Sequence, residues 1–235
     1  MSTHHDGGGE RINIAIDGPA GAGKSTVARS VAEALGYIYI DTGAMYRAVT
    51  WSARNAGIDI GDDGALAEHA EGLDISLAPG PDGQIVLLNG EDITALIRSR
   101  DINLNVSQVA ANDRVRMLLA DKQRKLADGK GVVMDGRDIG SHVLPDAELK
   151  IYLTASVEER ALRRFRETDP ASGLTLQQLE KEIEERDRKD MQRAVSPLIR
   201  TPDHILVDTT GISASGVIDT IASLSRKKLA EANLP

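Results

Sequence analysis

The sequence contains no cysteine, which excludes disulfide frameworks, thiolate zinc sites and cysteine nucleophiles. Aromatic residues make up only 3% and tryptophan occurs once, so there is little surface on which single-stranded nucleic acid could stack. Long apolar runs are also missing, since none approaches the roughly 18 residues that a membrane-spanning helix requires. Acidic side chains outnumber basic ones by 36 to 28, and the net charge of -8 disfavours nucleic-acid polymers and anionic membranes as partners. These absences favour a soluble cytoplasmic protein.

The length of 235 residues fits one large domain, or one domain with a small insert. Residues 1–10 contain two histidines and three consecutive glycines but no apolar segment, which is typical of a disordered tail rather than a secretory signal. We therefore predict one domain over residues 11–235. We expect a monomer, because no exposed apolar stripe is evident in the sequence.

Short apolar runs alternate with longer segments of helical periodicity from residue 11 onward. This order is typical of a parallel sheet whose two faces are both covered by helices. Five strands are predicted, at residues 12–16, 37–40, 131–134, 149–153 and 204–207. Helices are predicted after the first two strands and at residues 103–126, 156–166, 176–193 and 213–230. The sequence thus predicts an α/β three-layer sandwich around a five-stranded parallel sheet.

One segment departs from this alternation. Residues 73–77 and 84–88 each have a strand pattern, and the Pro- and Gly-rich residues 79–83 separate them as a turn would. We interpret about residues 60–100 as a small β-containing insert beside the main sheet. The alternative is that the two segments are edge strands.

A phosphate-binding signature follows the first predicted strand: Gly18-Pro19-Ala20-Gly21-Ala22-Gly23-Lys24-Ser25-Thr26. It has the spacing of a P-loop, in which backbone N–H groups and a helix N-terminus surround phosphate oxygens. Lys24 would add a positive charge at the outer phosphates, and the Ser25 hydroxyl would hold Mg²⁺. The sequence therefore predicts a P-loop NTPase-type fold that binds a nucleoside triphosphate with Mg²⁺.

P-loops occur in several classes of protein, so the rest of the chain must discriminate between them. The guanine-reading Asn-Lys-x-Asp and Thr-Lys-x-Asp motifs are absent, which disfavours a GTPase. The length and the lack of a Ser-Gly-Gly-Gln motif disfavour a transporter ATPase. A small kinase remains.

An apolar stripe with helical spacing runs through residues 176–183 and continues as Arg186, Asp190 and Arg193. These charges should face the body of the protein, where they need ion-pair partners or a ligand. Forked arginine donors suit phosphate oxygens. The turn-rich residues 168–173 join two arginine-bearing helices, so we interpret about residues 160–195 as a helical lid; the alternative for 168–173 is a plain loop.

A second polar segment, Asp135-Gly136-Arg137-Asp138, follows a predicted central strand, where open α/β sheets bind ligands. Arg137 could hold an acceptor phosphate, and one of the two carboxylates could order Mg²⁺ through water or accept hydrogen bonds from a base. No histidine lies in these segments. A phosphate acceptor needs no general base because its oxygen is already ionised, so we expect a nucleoside monophosphate as acceptor.

At this point the sequence resembles the bacterial cytidylate kinase family over nearly its whole length from about residue 12. The segments that carry the resemblance are Ile16-Asp17-Gly18-Pro19, Asp41-Thr42-Gly43-Ala44-Met45-Tyr46-Arg47, Ser107-Gln108-Val109-Ala110, Asp135-Gly136-Arg137-Asp138-Ile139-Gly140, and Glu185-Arg186-Asp187 through Arg193-Ala194. The resemblance implies transfer of the ATP γ-phosphoryl group to CMP or dCMP, in a fold with an acceptor-side insert. It also implies that donor adenine contacts lie near residues 208–210.

The resemblance further implies a role for each matching side chain. The acceptor phosphate would be held by Arg47 and Arg137, and Thr42 would join the acceptor site. The cytosine would be read by Ser107, Arg116 and Asp138. The ribose and phosphates would be surrounded by Arg186, Asp190 and Arg193. Charge on the transferring group would be stabilised by a catalytic set, Lys24, Arg137, Arg186 and Arg193.

These roles predict a preference for CMP and dCMP over UMP. Asp138 can accept a hydrogen bond from the exocyclic amine of cytosine, whereas uracil presents a carbonyl there. Two alternatives remain open. One is a related P-loop kinase for another acceptor, such as UMP or a small metabolite; the other is a nucleotide-sensing protein without turnover.

Overall fold

The computed structural model of the protein describes residues 11–80 and 83–232. The predicted tail, residues 1–10, lies outside this described part, as do Pro81 and Asp82 of the predicted hairpin turn. The strands are β1 Ile14–Asp17, β2 Ile38–Asp41, β3 Ile75–Gly80, β4 Gly83–Leu88, β5 Glu91–Asp92, β6 Val132–Asp135, β7 Leu149–Thr154 and β8 Ile205–Asp208. The α-helices are α1 Lys24–Leu35, α2 Thr42–Asn55, α3 Asp63–Glu71, α4 Arg100–Val109, α5 Asp113–Ala127, α6 Val157–Glu167, α7 Leu176–Gln192 and α8 Ala214–Ala232.

Five strands form the parallel sheet that the apolar runs predict, in the order β2-β6-β1-β7-β8. Alternate side chains of a strand enter different cores, because the side chains of a strand point to opposite faces. Ile14 and Ile16 pack in the core beneath α1 and α8, whereas Ala15 packs in the core on the α5 face. The α/β three-layer prediction is therefore confirmed. None of the helices within residues 11–80 and 83–232 combines the length and apolar character of a membrane span.

The segment between α2 and α4 carries a second, separate sheet. Here β3 and β4 pair as the predicted antiparallel hairpin, and β5 adds a short third strand. Val86 and Leu88 pack against α2, α4 and α5 in a core of their own. The sequence reading missed α3, whose apolar face consists only of Leu66, Ala67 and Ala70.

The single helix predicted at residues 103–126 is wrong: α4 ends at Val109 and α5 begins at Asp113. Asn112 causes the break, because its side-chain oxygen caps α5 by accepting from Val115 N–H at 3.1 Å. Its amide also donates to the Asp63 carbonyl at 2.9 Å, which fixes the cap against α3. The break places Arg116 on the first turn of a new helix, where it points into the cleft described below.

Candidate active site

A cleft of about 1030 Å³ opens where the central strands end. The loop between β1 and α1 forms one side of it, and α2, α4, α5 and the α6–α7 pair form the others. Within the phosphate loop, defined as residues 18–26, residues 20–26 border the cleft. Gly18 and Pro19 are buried and do not border it. Gly18 is required for close packing, since its φ is +147° and a Cβ there would lie 1.9 Å from the Leu153 carbonyl oxygen.

The phosphate loop brings Lys24 and Ser25 to the start of α1. Lys24 is buried, and its Nζ donates to the Pro19 carbonyl at 2.8 Å, across the loop itself. Burial and the nearby Arg137 guanidinium hold the pKa of Lys24 well below its usual value. A buried cation in a basic environment is stabilised by an incoming anion, which is the chemistry that a triphosphate supplies.

Ser25 connects the phosphate loop to the end of β6. Its hydroxyl donates to one carboxylate oxygen of Asp135 at 3.0 Å, and the hydroxyl of Tyr39 donates to the other at 2.9 Å. Burial and the neighbouring Asp41 carboxylate raise the pKa of Asp135 to about 6. A serine hydroxyl and a buried carboxylate beside a phosphate site are oxygen donors of the kind that Mg²⁺ takes alongside phosphate oxygens and water.

We name the nine predicted substrate-binding residues the polar cluster. All nine border the cleft: Thr42, Arg47, Ser107, Arg116, Arg137, Asp138, Arg186, Asp190 and Arg193. They come from α2, α4, α5, the turn after β6, and the C-terminal half of α7 with the residue that follows it. The fold thus brings together side chains that are separated by up to about 150 positions in the sequence.

Asp138 is the centre of one ion-pair network in the polar cluster. Arg116 donates to it through Nη2 and to the Ala110 carbonyl through Nη1, the latter at 2.9 Å. Arg193 Nη2 lies 3.4 Å from the other carboxylate oxygen. Asp138 is 4% exposed, so two arginines hold a carboxylate that is almost wholly buried at the wall of the cleft.

Asp190 is the centre of a second network. Ser107 Oγ donates to it at 3.2 Å and Arg137 Nε donates at 2.9 Å. Burial opposes the charge on Asp190, but the surrounding arginines, Arg137 foremost, hold its pKa below its ordinary value. Asp190 therefore stays ionised and joins α4, α7 and the turn after β6.

The cleft carries more cationic capacity than its own carboxylates satisfy. Within the described part of the chain, the buried nitrogens Arg47 Nε, Arg186 Nε and Arg193 Nη2 make no hydrogen bond. Burial and the adjacent Arg137 lower the pKa of Arg186 to about 9. Buried arginine donors that crowd one another form a site for an anion, since an anion supplies both the missing acceptors and the opposing charge.

At the wall of the cleft formed by α2, Thr42 and Arg47 lie on the first turns of the helix. Thr42 Oγ1 donates to the Asp135 carbonyl at 2.8 Å, and Arg47 Nη2 donates to Asp41 at 2.6 Å. Asp41 also caps α2 by accepting from Ala44 N–H at 2.9 Å. This carboxylate therefore positions both the helix and the arginine.

The sequence reading missed several polar residues that support the cleft. Tyr39 and Asp41 hold Asp135 and Arg47, while Arg160 and Asp187 form an ion pair against the phosphate loop. Arg163 donates to Thr209 Oγ1 and to the Thr209 carbonyl, at 2.9 and 2.8 Å, close to the phosphate loop. The helical spacing of three residues between Asp187 and Asp190 is a signal that could have identified Asp187.

The comparisons with known proteins agree with this architecture. A family profile described as cytidylate kinase matches residues 14–227. The chain is 52% identical to a cytidylate kinase of Geobacillus kaustophilus (strain HTA426), over 93% of this chain and 98% of that protein. It is 51% identical to a cytidylate kinase of Lysinibacillus sphaericus (strain C3-41), over 94% of this chain and 99% of that protein.

Among solved structures, an uncharacterized protein from Eubacterium ventriosum ATCC 27560 superposes with a TM-score of 0.52 at 12% identity, over 93% of this chain and 99% of that one. That likeness concerns the fold alone. The family profile and the two relatives span nearly the whole length that folds around the cleft. This chain therefore belongs to the cytidylate kinase family.

Proposed function

We propose that this protein transfers the γ-phosphoryl group of ATP to CMP or dCMP, giving ADP and CDP or dCDP. The observation that carries the proposal is the meeting of two anion sites in one cleft, the phosphate loop and the polar cluster. After burial, Arg137 has the largest electrostatic influence on the pKa of both Lys24 on one side and Arg186 on the other. Two sets of phosphates bound there would face each other across Arg137.

The acceptor phosphate is assigned to Arg47 and Arg137, and Thr42 is assigned to the same acceptor site. Arg47 Nε is a buried donor with no hydrogen bond among the described residues, and Arg137 is anchored by Asp190. Bidentate guanidinium groups hold a phosphate in a fixed orientation, which is what an in-line attack requires.

The base of the acceptor is assigned to Asp138, Arg116 and Ser107. The Asp138 carboxylate retains lone pairs after its arginine contacts and can accept from the exocyclic amine of cytosine. Arg116 and Ser107 can donate to the ring acceptors. Uracil would place a carbonyl against Asp138, so CMP and dCMP are preferred to UMP.

In the transfer step, an ionised phosphate oxygen of CMP forms a bond to the γ-phosphorus, and the bond from that phosphorus to the ADP oxygen breaks. Lys24, Arg186 and Arg193 then stabilise the charge that spreads over the transferring group. No general base is needed. Ser25, with Asp135 behind it, would hold Mg²⁺; when bound, the ion neutralises charge on the β- and γ-phosphates.

Two segments are proposed to close over the substrates. About residues 60–100, with β3, β4 and β5, form a flap on the acceptor side. About residues 160–195, with α6 and α7, form a lid that carries Arg186, Asp190 and Arg193 of the polar cluster and excludes water from the transfer. The donor adenine is assigned to the region of residues 208–210; the contact of Arg163 with Thr209 beside the phosphate loop supports this assignment.

The test is ATP consumption by the wild-type chain with and without added CMP, followed as ADP and CDP by chromatography. With CMP, ADP and CDP should form in equal amounts, at a rate far above the slow release of ADP by hydrolysis when CMP is omitted. ATP binding without CMP-dependent turnover would contradict the proposal and favour a nucleotide-sensing protein instead.

A further inference from the structure

Helix α7 carries two buried carboxylates one turn apart, Asp187 and Asp190, and each accepts hydrogen bonds from a different part of the cleft. Asp187 accepts from the Ala20 N–H of the phosphate loop at 3.0 Å. Asp190 accepts from Ser107 and Arg137 of the polar cluster. Three residues of α-helix span about 4.5 Å along the axis, so the two carboxylates keep a fixed separation.

A second residue, Arg160 of α6, also contacts the phosphate loop. Its Nη1 donates to Asp187 at 2.6 Å and to the Ala20 carbonyl at 2.8 Å, and its Nε donates to the Ala155 carbonyl at 2.9 Å. Both backbone polar groups of Ala20 are therefore bound by one ion pair between α6 and α7. Arg160 and Asp187 are 4% and 7% exposed, so water competes little for these contacts.

Close packing confirms that the phosphate loop rests directly on this ion pair. A Cβ added to Gly21 would lie 3.2 Å from Arg160 Cβ and 3.5 Å from the Arg160 carbonyl oxygen. The φ of Gly21 is +75°, a conformation that side chains other than glycine rarely adopt. The loop is thus seated on the first turn of α6 at a defined distance.

We propose that Arg160 and Asp187 are positioning residues that set the register of the phosphate loop against the acceptor site, with α7 as the rigid spacer. The proposal rests on the proposed function. Neither side chain needs to touch a substrate: Asp187 fixes Ala20, and Asp190, one turn further along, fixes Ser107 and Arg137. Misplacement of reacting atoms by about 1 Å costs on the order of a hundredfold in rate, so a small loss of register is visible in turnover.

The experiment compares two acceptors for the same γ-phosphoryl group in the full-length chain. One is CMP; the other is water, which gives ADP and inorganic phosphate when CMP is omitted. Asp187→Asn keeps an acceptor for Ala20 N–H but removes the charge that pairs with Arg160, and Arg160→Lys replaces the forked donors by a single ammonium. Each variant therefore weakens the bridge that joins α6, α7 and Ala20. We expect the ratio of CMP phosphorylation to ATP hydrolysis to fall at least tenfold in each variant, with the KM for CMP changed less than threefold.

Glu185→Gln is the matched control. Glu185 lies on the exposed side of α7 and pairs with Lys189 at 3.0 Å, away from the phosphate loop. This variant should keep the wild-type ratio. The ratio does not depend on how much of the protein is folded, because misfolded molecules drop out of both rates equally.

A wild-type ratio in either folded variant would overturn the proposal, even if total activity were lower, since it would assign Arg160 and Asp187 to stability alone. The wild-type chain separates this from a failure of the proposed function. If wild type itself shows no CMP-dependent turnover, the proposed function fails and the register argument fails with it.

Discussion

The two sides of the cleft are built in different ways. The phosphate loop is one continuous segment, residues 18–26, and its polar side chains are those of Lys24, Ser25 and Thr26. The polar cluster draws nine side chains from five places in the chain, and buried ion pairs hold them. We therefore expect activity to depend, on the side of the phosphate loop, on backbone geometry and on Lys24. On the side of the polar cluster, we expect activity and stability to depend on the pairing of its charges.

The largest expected effect is on the phosphate-loop side. Lys24→Ala removes the one side-chain cation of the loop, and the loss of one such electrostatic contact costs about 10²- to 10³-fold in kcat. Steady-state ADP release with saturating CMP measures it. Lys181→Ala, which removes an exposed lysine of α7, is the control and should retain wild-type kcat. Near-full activity of Lys24→Ala would remove Lys24 from the catalytic set.

On the cluster side, Asp138→Asn should weaken discrimination rather than abolish transfer. We expect kcat/KM for CMP to fall about 10- to 100-fold, in line with a charged hydrogen bond of about 1.5–3 kcal/mol. The value for UMP should fall much less, because an amide can donate to the uracil carbonyl. Asp121→Asn, at an exposed carboxylate of α5 paired with Arg124, serves as the control. An unchanged CMP to UMP ratio would take Asp138 out of base recognition.

Asp135 and Asp190 are expected to affect the free energy of unfolding in opposite directions. The pKa of Asp135 is raised to about 6 in the folded protein. Its protonated form therefore adds to the free energy of unfolding below about pH 4, and this contribution is lost as the pH rises through 6. At pH 7.5 Asp135→Asn should therefore raise the free energy of unfolding, by about 1–3 kcal/mol at one pKa unit per 1.4 kcal/mol. The gain should shrink at pH 5.

Asp190 should behave in the opposite way. Its arginines hold its pKa below the ordinary value, so its contribution is present at neutral pH and is lost as pH falls through the lowered pKa. Asp190→Asn should lower the free energy of unfolding at pH 7.5. Urea denaturation of both variants without nucleotide measures the two signs; the same sign for both would refute the contrast.

The smallest effect is expected at the outer end of the cluster side. Arg100 of α4 and Glu182 of α7 form an ion pair that links the same two helices as Asp190, but Arg100 is 54% exposed. A double-mutant cycle with Arg100→Ala and Glu182→Gln should give a coupling energy of about 0.2–1 kcal/mol, which falls with added salt. A coupling well above this range would show that the exposed pair, rather than Asp190, holds α4 to α7.

The contiguous phosphate loop could be predicted from the sequence more completely than the polar cluster, which is assembled from five places in the chain. The phosphate loop is contiguous, so spacing alone identifies Lys24 and Ser25, and continuous apolar runs identify the strands that surround it. The break between α4 and α5 was missed, because its local signal is a single residue, Asn112, which caps Val115 three positions further on. The contact that fixes this cap, with Asp63 49 positions away, is not visible in the spacing.

The ion pairs in and beside the polar cluster could not be predicted from the sequence either. Arg160 and Asp187 are 27 positions apart, and nothing in the spacing of Arg160 marks it among the other arginines of α6. The individual residues Asp138, Asp190 and Arg116 could be named from motifs and from resemblance. Their pairing into two networks depends on how α4, α5 and α7 converge, which is a property of the fold.

The most direct test is the release of ADP from Mg-ATP by the wild-type protein. We would measure kcat/KM for CMP, dCMP, UMP, AMP and GMP, and the rate of release without an acceptor. We predict that CMP and dCMP lead and that release without an acceptor is far slower, at the rate of hydrolysis by water. A lead for UMP would contradict the assignment of Asp138 while leaving a kinase, and equal release with and without acceptors would contradict the account as a whole.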